Sequence, residues 1–506
     1  MYIRRSRAEP LTTQLYRGIR EAILSGALAP ESRVPSTRDL ALSEGVARNT
    51  ALRVYERLLS EGYLVQRRGA GTYVAPELPE NLLTRLRTTP ATPTAPPAPP
   101  RLSRRGQRLV PLAPTSWAPV TPAVAVDFRY GPTALDDFPR QIWRRQLSRA
   151  ARETTAPHLD YGAPAGLPEL REAICEYLTH ARAVACRPDQ IIVVHGSQQA
   201  LALTGEVLLD PGDRVLVEEP GYPGATLSFW AAGATVIPGA VGPEGLDVRA
   251  LAASMRRVRL AYVTPSHQFP TGVIMTLARR LALLEWAERT GAWIFEDDYD
   301  SEFRYGVRPV ESLQGLDRHE RVIYAGTFSK VLFPSLRLGY LVVPAPLIGP
   351  FLAAKALADT GTGGLEQRAL ARFIRDGHFD RHLRRTRARN GERRAALVAA
   401  LDEHVGDRVE VLGANAGLHV MLRLRDVPLA HEPELIADAE RAGVRVYSPA
   451  LFYSAPRDRP EAELLLGYAS LSLAQIRRGI ARLAGVLNGV AGKYQGRRER
   501  RRSLRR

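Results

Sequence analysis

Short apolar runs alternate with amphipathic segments along most of this 506-residue chain, and this alternation limits the folds it can adopt. Such runs are typical of strands buried on both faces, and helices between them cover a parallel sheet. We therefore expect residues 121–488 to form an α/β domain with a mostly parallel central sheet and a small α+β subdomain at about 380–488. The clearest apolar runs are residues 190–194, 214–217, 260–263 and 292–295.

Three other regions flank this domain, so the chain is predicted to be multi-domain. Residues 1–76 have the pattern of a small, mainly α-helical unit that ends in a hairpin. Residues 77–120 are rich in proline and show little periodicity, which predicts a stiff, extended linker. Residues 489–506 are predicted to be a basic, disordered tail.

The N-terminal unit has the pattern of three helices followed by two short strands. Apolar residues recur at helical spacing over residues 15–23, and a capping box at residues 36–39 opens a second helix. A third helix is expected at residues 48–61, with Leu52 among its buried side chains. The strands that follow flank a basic tight turn at residues 67–71.

This arrangement predicts a winged helix-turn-helix whose third helix enters the DNA major groove. The alternative is a three-helix interaction module with a solvated basic face. A net charge of +5 on residues 1–75 favours DNA. The residues expected to contact DNA are Ser36, Thr37, Arg38, Arg48, Asn49, Thr50, Arg53, Arg67, Arg68 and Gly69.

Three motifs of this unit carry a resemblance to a known family. The stretches 34–40, 53–58 and 61–64 resemble the DNA-binding domain of GntR-type regulators, and the similarity extends over residues 11–74. Ala47 departs from that pattern, which usually has a serine or threonine capping the third helix. We expect the departure to weaken the cap by about 1 kcal/mol without removing the helix.

The chain contains only three lysines among its 70 basic residues, and one of them, Lys330, follows the β-like run 322–325. An amine can lose its proton and condense with an aldehyde, whereas a guanidinium stays protonated. This setting marks Lys330 as a candidate nucleophile. Lys355 and Lys493 have no such setting and are interpreted as ordinary surface lysines.

Other residues supply what the coenzyme pyridoxal 5'-phosphate (PLP) needs besides an amine. Asp297 ends an apolar strand and would keep the pyridine nitrogen protonated, while Tyr299 would bond the phenolic oxygen and Tyr222 would stack on the ring. The stretch 196–198 opens a helix, where free N–H groups favour phosphate. Taken singly, each has an ordinary alternative as a turn residue, a packing aromatic or a helix cap, and the acids at 296–300 leave the choice of carboxylate open.

The order of these residues resembles that of fold-type I aminotransferases across about residues 121–488. The loop 264–272 resembles the family's Asn-Pro-Thr-Gly loop, but Phe269 replaces the asparagine that would bond the phenolic oxygen. Tyr299 is therefore expected to act alone or with His267 or Gln268. The predicted cofactor-binding residues are Gly196, Ser197, Gln198, Tyr222, His267, Asp297, Tyr299, Thr327, Ser329, Lys330 (as the Schiff base) and Arg337.

A GntR-type winged helix, a proline-rich linker and an aminotransferase-like body together resemble the MocR subfamily of PLP-dependent transcriptional regulators. The resemblance implies a homodimer that binds repeated half-sites in DNA and senses PLP or an amino compound through Lys330. The alternative is an active aminotransferase that carries a DNA-binding domain, with Lys330 as its catalytic residue. Such enzymes grip the substrate carboxylate with an arginine, yet residues 448–453 and 464–469 contain none and Arg445 is the nearest substitute. Efficient turnover is therefore not expected.

The charge distribution and the cysteine content indicate which partners and which cell compartment to expect for this chain. The net charge of +17 is concentrated in residues 1–75, 77–120 and 491–506, which carry +5, +4 and +7, and this favours a polyanionic partner. Two cysteines are too few to stabilise a protein of this size through disulfide bonds, and this is consistent with a reducing cytoplasm. We expect no signal peptide, no membrane span and no metal site.

Overall fold

The computed structural model divides the chain into two compact units, Met1–Arg101 and Leu102–Arg506. The boundary between them falls inside the expected linker. For the final helix beyond residue 489, only the backbone is described. The residues that the structure describes are Tyr2 and 9–67, 69–79, 101–110, 124–249, 257–306, 311–454 and 459–503.

The first unit has the winged helix-turn-helix fold. Its third helix packs on the first two, and strands β1 and β2 pair antiparallel with Arg67 opposite Gly71. The turn between them uses positive φ at Gly69 and Gly71, a conformation that glycine adopts without steric cost. The helices are Leu11–Leu24, Thr37–Glu44 and Arg48–Ser60, and the strands are β1 (Leu64–Arg67) and β2 (Gly71–Val74).

On the third helix, Leu52 lies on the exposed face and not on the buried face where it was expected. The helix buries Ala51, Val54, Tyr55 and Leu58, which recur at spacings of three and four residues. Leu52 falls outside this stripe and is 44% exposed. The prediction that Leu52 is buried is therefore wrong.

The described part of the linker is not extended as expected. Residues Arg104–Leu109 form a short helix, whose first turn is capped by the Ser103 hydroxyl accepting from the Gly106 N–H at 3.0 Å. Arg108 donates to the backbone oxygen of Trp230 at 3.4 Å, which attaches this helix to the second unit. The rest of the linker, residues 80–100 and 111–120, lies outside the described residues.

The second unit is built on an eight-stranded sheet of the kind expected for fold-type I aminotransferases. Its strand order is β4-β11-β10-β9-β8-β5-β6-β7, and all neighbours from β10 to β6 are parallel. β11 and β7 are antiparallel to their neighbours. The strands are β4 (Ile191–Val194), β5 (Arg214–Glu219), β6 (Thr235–Gly242), β7 (Gly245–Leu246), β8 (Val258–Val263), β9 (Trp293–Asp298), β10 (Val322–Thr327) and β11 (Gly339–Val342).

Helices cover this sheet, and apolar clusters lie against its strands. Strand β4 and the first four residues of β10 are continuously apolar because both of their faces are buried. The helices of the large part are Arg140–Arg152, Pro168–Arg182, Ser197–Leu208, Pro223–Ala232, Leu277–Thr290, Leu313–Leu316, Ile348–Asp359 and Gly364–Arg375.

The small subdomain has its own apolar core, beneath an antiparallel sheet of β12, β13 and β15. An early segment of the chain joins it, because β3 pairs parallel with β14 and Phe128 packs into this core. The strands are β3 (Val126–Asp127), β12 (Val409–Leu412), β13 (His419–Pro428), β14 (Val444–Arg445) and β15 (Glu461–Gly467), and the helices are His378–His404, Glu432–Arg441 and Leu473–Ser503.

The last of these helices continues where a disordered tail is expected. Its backbone is helical to Ser503, so only residues 504–506 of the predicted tail lie outside the description. Arginine, glutamate and glutamine have high helix propensity, which favours continuation of a helix already anchored at its start. None of the described helices is long and apolar enough to cross a membrane.

Candidate cofactor site and DNA-contacting face

The predicted cofactor-binding residues follow the carboxyl ends of strands β4, β5, β8, β9 and β10. These ends lie at one edge of the sheet, which is where open α/β sheets bind their ligands. Lys330 follows β10, and its Nζ donates to the backbone oxygen of Gly131 at 2.9 Å. Gly131 has positive φ, and a Cβ there would lie 3.4 Å from that Nζ. The amine is therefore held by a segment that sequence reasoning did not connect to it.

The environment of Lys330 favours its neutral form. Burial lowers the pKa of Lys330, while the negative charges of Asp300 and Asp297 oppose the change only in part. The positive charge of Arg129 lowers this pKa further. A larger share of the amine is therefore unprotonated near neutral pH than in a free lysine.

The acids of the 296–300 stretch are separated by the alternation of side chains along β9. Glu296 accepts from the N–H of Leu313 at 3.0 Å, and Asp298 forms a buried ion pair with Arg182. Asp297 lies between them in sequence and therefore on the other face of the sheet. The two neighbours have structural partners, which leaves Asp297 for the site.

Asp297 has one carboxylate oxygen without a partner. It is 4% exposed, and Oδ2 accepts from the hydroxyl of Tyr262 at 2.9 Å. Oδ1 is buried and has no hydrogen-bond partner among the described residues. Burial raises the pKa of Asp297 to about 7, although the Tyr262 bond opposes this. An orphaned buried acceptor is unfavourable, and the protonated ring nitrogen of PLP would supply the missing donor.

Tyr299 is joined to His267 and Asp300. The two Asp300 oxygens lie 3.1 and 3.0 Å from His267 Nδ1, and the Tyr299 oxygen lies 2.9 Å from the same nitrogen. An ionised carboxylate only accepts, so Nδ1 carries the hydrogen and the Tyr299 oxygen shares it. Burial raises the pKa of Tyr299 well above its usual value. Its own O–H thus remains available to donate into the site.

Phe269, which stands where asparagine is usual, fills the space between two site tyrosines. Its ring meets Tyr222 edge to face at 6.0 Å and Tyr299 at 6.2 Å between centroids. It also packs on Phe452 of the small subdomain at 4.9 Å. Phe269 therefore fixes the tyrosines by packing and offers no hydrogen bond. Gln268 turns away, donating to the backbone oxygen of Pro220 at 2.7 Å.

The predicted phosphate-binding residues lie together at the start of helix Ser197–Leu208. No described side chain caps this helix, whose first residue follows Gly196 with positive φ. A Cβ on Gly196 would lie 3.4 Å from Nη2 of Arg337, which donates to the backbone oxygen of His195 at 2.6 Å. Gln198 donates to the hydroxyl oxygen of Tyr222 at 3.0 Å.

Thr327 and Ser329 lie in the loop that carries Lys330. The Thr327 hydroxyl oxygen accepts from the N–H of Ser329 at 3.1 Å, so the loop is closed on itself. The structure therefore brings all the predicted cofactor-binding residues to one edge of the sheet. Their individual roles toward PLP stay predictions.

Sequence reasoning missed several residues of this site. Gly131 and Tyr262 show no local pattern, because their contacts join segments far apart in the chain. Lys355 was interpreted as an ordinary surface lysine, and this is wrong: it is fully buried and paired with Asp359. The spacing of four residues indicates such a pair but gives no sign of its burial. The side chain of Lys493 lies outside the description.

Arg445, the substitute suggested for gripping a substrate carboxylate, is already engaged. Its guanidinium donates to Glu440 at 2.7 Å and lies 3.6 Å from Asp127. Arg129 is exposed and makes no ion pair with any described residue, and its charge acts on both Lys330 and Tyr447. It is the guanidinium better placed to attract an anionic group.

The predicted DNA-contacting residues lie on exposed parts of the first unit. Along the third helix, Arg48, Asn49 and Arg53 are exposed and Thr50 is partly buried. Ala47 is the N-cap and makes no side-chain cap hydrogen bond, as expected.

The second helix and the wing carry the remaining predicted contacts. Ser36 caps the second helix by accepting from the N–H of Asp39 at 3.2 Å, and Arg38 beside it is exposed. Thr37 is half-buried, whereas Gly69 at the tip of the wing is exposed. Arg67 is paired with Glu31 at 3.1 Å, and Arg68 lies outside the described residues. These DNA contacts stay predictions.

Comparisons with known proteins match both units. Residues 11–74 match the family of bacterial regulatory proteins called gntR, and residues 135–483 match aminotransferase class I and II. The chain is 39% identical over 475 residues to the probable rhizopine catabolism regulatory protein MocR of Rhizobium meliloti, covering 93% of this chain and 92% of that protein. The chain belongs to the MocR-type GntR regulators.

Two further relatives bear on the cofactor. This MocR-type chain is 31% identical to the pyridoxine biosynthesis transcriptional regulator PdxR of Corynebacterium glutamicum, over 81% of this chain and 83% of that one. It also matches the solved structure of LysN, the α-aminoadipate aminotransferase of Thermus thermophilus complexed with N-(5'-phosphopyridoxyl)-L-leucine. That match has a TM-score of 0.66 and 32% identity, over 72% of this chain and 93% of that one. The chain is a PLP-binding transcription regulator of the MocR type.

Proposed function

We propose that this regulator binds operator DNA through its first unit, and that PLP or an amino compound acting at Lys330 changes its affinity for that DNA. The observation that carries the proposal is the pairing of Lys330 with Asp297. The amine has a lowered pKa, and the nearby carboxylate has an orphaned buried oxygen. PLP would use both features, the amine as the partner of its aldehyde and the carboxylate oxygen as the acceptor for its ring nitrogen.

PLP, when bound, supplies an aldehyde that condenses reversibly with amines. Lys330 would act as the nucleophile, because burial lowers the pKa of its amine and so favours loss of the proton from Nζ. Asp297 would hold the ring nitrogen in its protonated form by accepting from it through Oδ1, which is buried without a partner among the described residues. Tyr299 donates its O–H toward the phenolic oxygen while His267 and Asp300 keep it in place.

The start of helix Ser197–Leu208 would bind the phosphate, together with Thr327, Ser329 and Arg337. The helix dipole and the backbone N–H groups at residues 196–198 favour an anion, and the Arg337 guanidinium adjoins them. Tyr222 covers the ring, held by Gln198 and Phe269.

The effector is an amine that takes the place of Lys330, and an amine with a carboxylate fits best. Arg129 supports this choice, because its exposed guanidinium acts electrostatically on Nζ without an acidic partner among the described residues. An effector changes DNA affinity only by the difference in its affinity for two conformations. A simpler alternative is that PLP itself is the effector, and that its binding to the cofactor-free chain at Lys330 changes DNA affinity.

We further propose a homodimer that reads repeated half-sites. A single winged helix-turn-helix contacts few base pairs, and dimers double the site at a fixed spacing. Exposed apolar side chains support an interface on the second unit: Leu159 is 80% exposed and Tyr161 is 86% exposed.

The decisive experiment combines a spectrum with DNA binding. Wild-type chain incubated with PLP should acquire a visible absorption band, and Lys330→Ala should lack it while keeping the fold measured by far-UV circular dichroism. Both proteins are then titrated with operator DNA selected from random sequences, with and without PLP. A PLP effect on the affinity of the wild type that is absent from Lys330→Ala supports the proposal. A colourless wild type, or identical PLP effects in both proteins, would refute it.

A further inference from the structure

Lys355 is buried, with 0% exposure, behind the start of the predicted phosphate site. Its Nζ donates to Oδ1 and Oδ2 of Asp359, each at 2.6 Å, and to the hydroxyl of Thr362 at 3.1 Å. An ammonium group has three hydrogens, and here it meets three acceptors. The charge is therefore fully compensated where it is buried, which is the condition for a buried cation to be tolerated.

Asp359 extends this contact toward the backbone. Its Oδ2 accepts from Nε2 of Gln199 at 2.7 Å and lies 3.4 Å from Nε2 of His195. Although burial acts to raise it, the hydrogen bonds from Gln199 and Lys355 hold the pKa of Asp359 below its usual value. The carboxylate therefore stays ionised and accepts from several donors at once.

His195 is the residue on which these contacts converge. Its N–H donates to Oε1 of Gln199 at 2.8 Å, and its backbone oxygen accepts from Arg337 at 2.6 Å. Its ring adjoins Asp359. The two peptide groups that flank the Cα of His195 are thus each held by a hydrogen bond, directly before Gly196 and the helix start.

The choice of lysine at position 355 is unusual in a chain whose basic residues are nearly all arginine. A guanidinium carries five N–H donors in a rigid fork. In this buried position it would meet the same three acceptors and leave donors unsatisfied, which is unfavourable. The retained lysine therefore matches the number of acceptors that its surroundings supply.

We propose that Lys355 is a positioning residue for the phosphate of PLP, acting through Asp359, Gln199 and His195 without touching the cofactor. The inference rests on the proposed function, in which residues 196–198 bind that phosphate. The Lys355–Asp359 pair holds His195, and His195 holds the N–H groups that follow it in the orientation the phosphate needs. Small displacements of such groups have large effects on binding.

The test compares PLP with pyridoxal, which has the same aldehyde and ring but no phosphate. In the full chain, Lys355→Met should weaken PLP binding by about tenfold, the equivalent of a lost charged hydrogen bond, and leave pyridoxal binding unchanged. Both affinities are measured by titration of the visible band, whose position should not move. Arg149→Met is the matched control: it removes an exposed ion pair with Glu153, also four residues apart, and should change neither affinity.

A second variant keeps the inference testable where Lys355→Met does not fold. Gln199→Leu leaves the ion pair intact but cuts its link to the N–H of His195, and should give the same loss confined to PLP. Unchanged PLP affinity in the folded variants, or equal weakening of PLP and pyridoxal, overturns the inference alone. A wild type that binds pyridoxal as tightly as PLP would instead overturn the phosphate site itself, and with it the proposed function.

Discussion

At the scale of single residues, the burial of Lys330 sets the pH above which its amine can react, because burial is the main cause of its lowered pKa. A lowered pKa means that Nζ is protonated only below that pKa and is nucleophilic above it. The rate at which the visible band forms should therefore rise with pH and level off below 10.5, the usual lysine value. Rapid mixing with PLP over a pH series measures this profile. A rate that still rises at pH 10.5 would contradict the lowered pKa.

Arg129 offers a way to move that profile. Its positive charge lowers the pKa of Lys330, so Arg129→Gln should raise this pKa and shift the midpoint of the profile to higher pH. The side chain is exposed, which makes the replacement compatible with folding. Arg144→Gln, another exposed arginine of the same unit, serves as the control and should leave the midpoint unchanged. A midpoint that stays in place for both variants would remove Arg129 from the site.

Asp297 provides the second residue-level prediction. Asp297→Asn keeps the shape but removes the negative charge that pairs with a protonated ring nitrogen. We expect PLP to bind at least about tenfold more weakly, because hydrogen bonds to charged groups contribute about 1.5–3 kcal/mol. Titration of the visible band measures the change, with the exposed Asp136→Asn as a control. Equal PLP affinities for wild type and Asp297→Asn would show that Oδ1 of Asp297 does not bind the ring nitrogen.

Single residues also mark the limit of sequence reasoning. Lys330 and Asp297 could be predicted, because a rare lysine after one strand and an acid ending another are local signals. The bond from Lys330 to Gly131 joins residues 199 positions apart, and no local pattern encodes it. Likewise, the burial of Lys355 depends on Gln199 and Asp359 meeting across two helices.

At the scale of elements, the third helix of the first unit carries the predicted DNA contacts. Arg48→Ala and Arg53→Ala should each weaken operator binding by about 1–3 kcal/mol, the usual range for a base-contacting side chain. Gel-shift titration measures the loss, and the visible band should not change.

Arg57 of the same helix is the matched control for both replacements. It lies near the helix end and is paired with Glu61 at 2.8 Å, so Arg57→Ala removes an equal charge away from the exposed opening face. Operator affinity should be nearly unchanged by it. Equal losses for Arg57→Ala and the other two would indicate a general charge effect.

The N-cap of the same helix allows a prediction about helix stability. Ala47 supplies no side-chain cap, whereas Ser36 caps the helix before it. Ala47→Ser should stabilise the helix by about 1 kcal/mol, and Ser36→Ala should destabilise its own by a similar amount. Hydrogen exchange of the amides in each helix, in DNA-free full chain, should change about fivefold in opposite directions. Unaltered exchange in Ala47→Ser would mean that the helix start is held by other contacts.

Strands with a continuous apolar pattern were predicted correctly, whereas elements with a weaker local pattern were misplaced or missed. The strands β4, β5, β8 and β9 coincide with the apolar runs, because burial on both faces leaves a continuous signal. Leu52 was misplaced because a hydrophobic residue next to a buried stripe looks like part of it. The helix Arg104–Leu109 was missed because its stability comes from contact with another helix rather than from its own sequence.

At the scale of the whole molecule, the described positions where aminotransferases are expected to carry their carboxylate-binding arginine offer no unengaged one, and this predicts slow transamination even if Arg129 attracts an anionic group. Arg445 is engaged by Glu440, and the described residues 448–453 and 464–469 contain no arginine. Transamination of common amino acids should proceed with kcat below about 1 per second, the low end of the usual enzyme range. Single-turnover spectra with a panel of amino acids measure it. A kcat within the enzyme range would make this chain an enzyme as well as a regulator.

The segment from Val126 to Gly131 connects the amine of Lys330 to the small subdomain. Its first residues form a strand with β14, and its last residue holds the amine of Lys330. Under the proposed function, we expect displacement of that amine to release the carbonyl of Gly131. The backbone from Gly131 back to Val126 leads into the strand pair with β14, so ligand capture at the sheet edge would shift the main chain of the small subdomain.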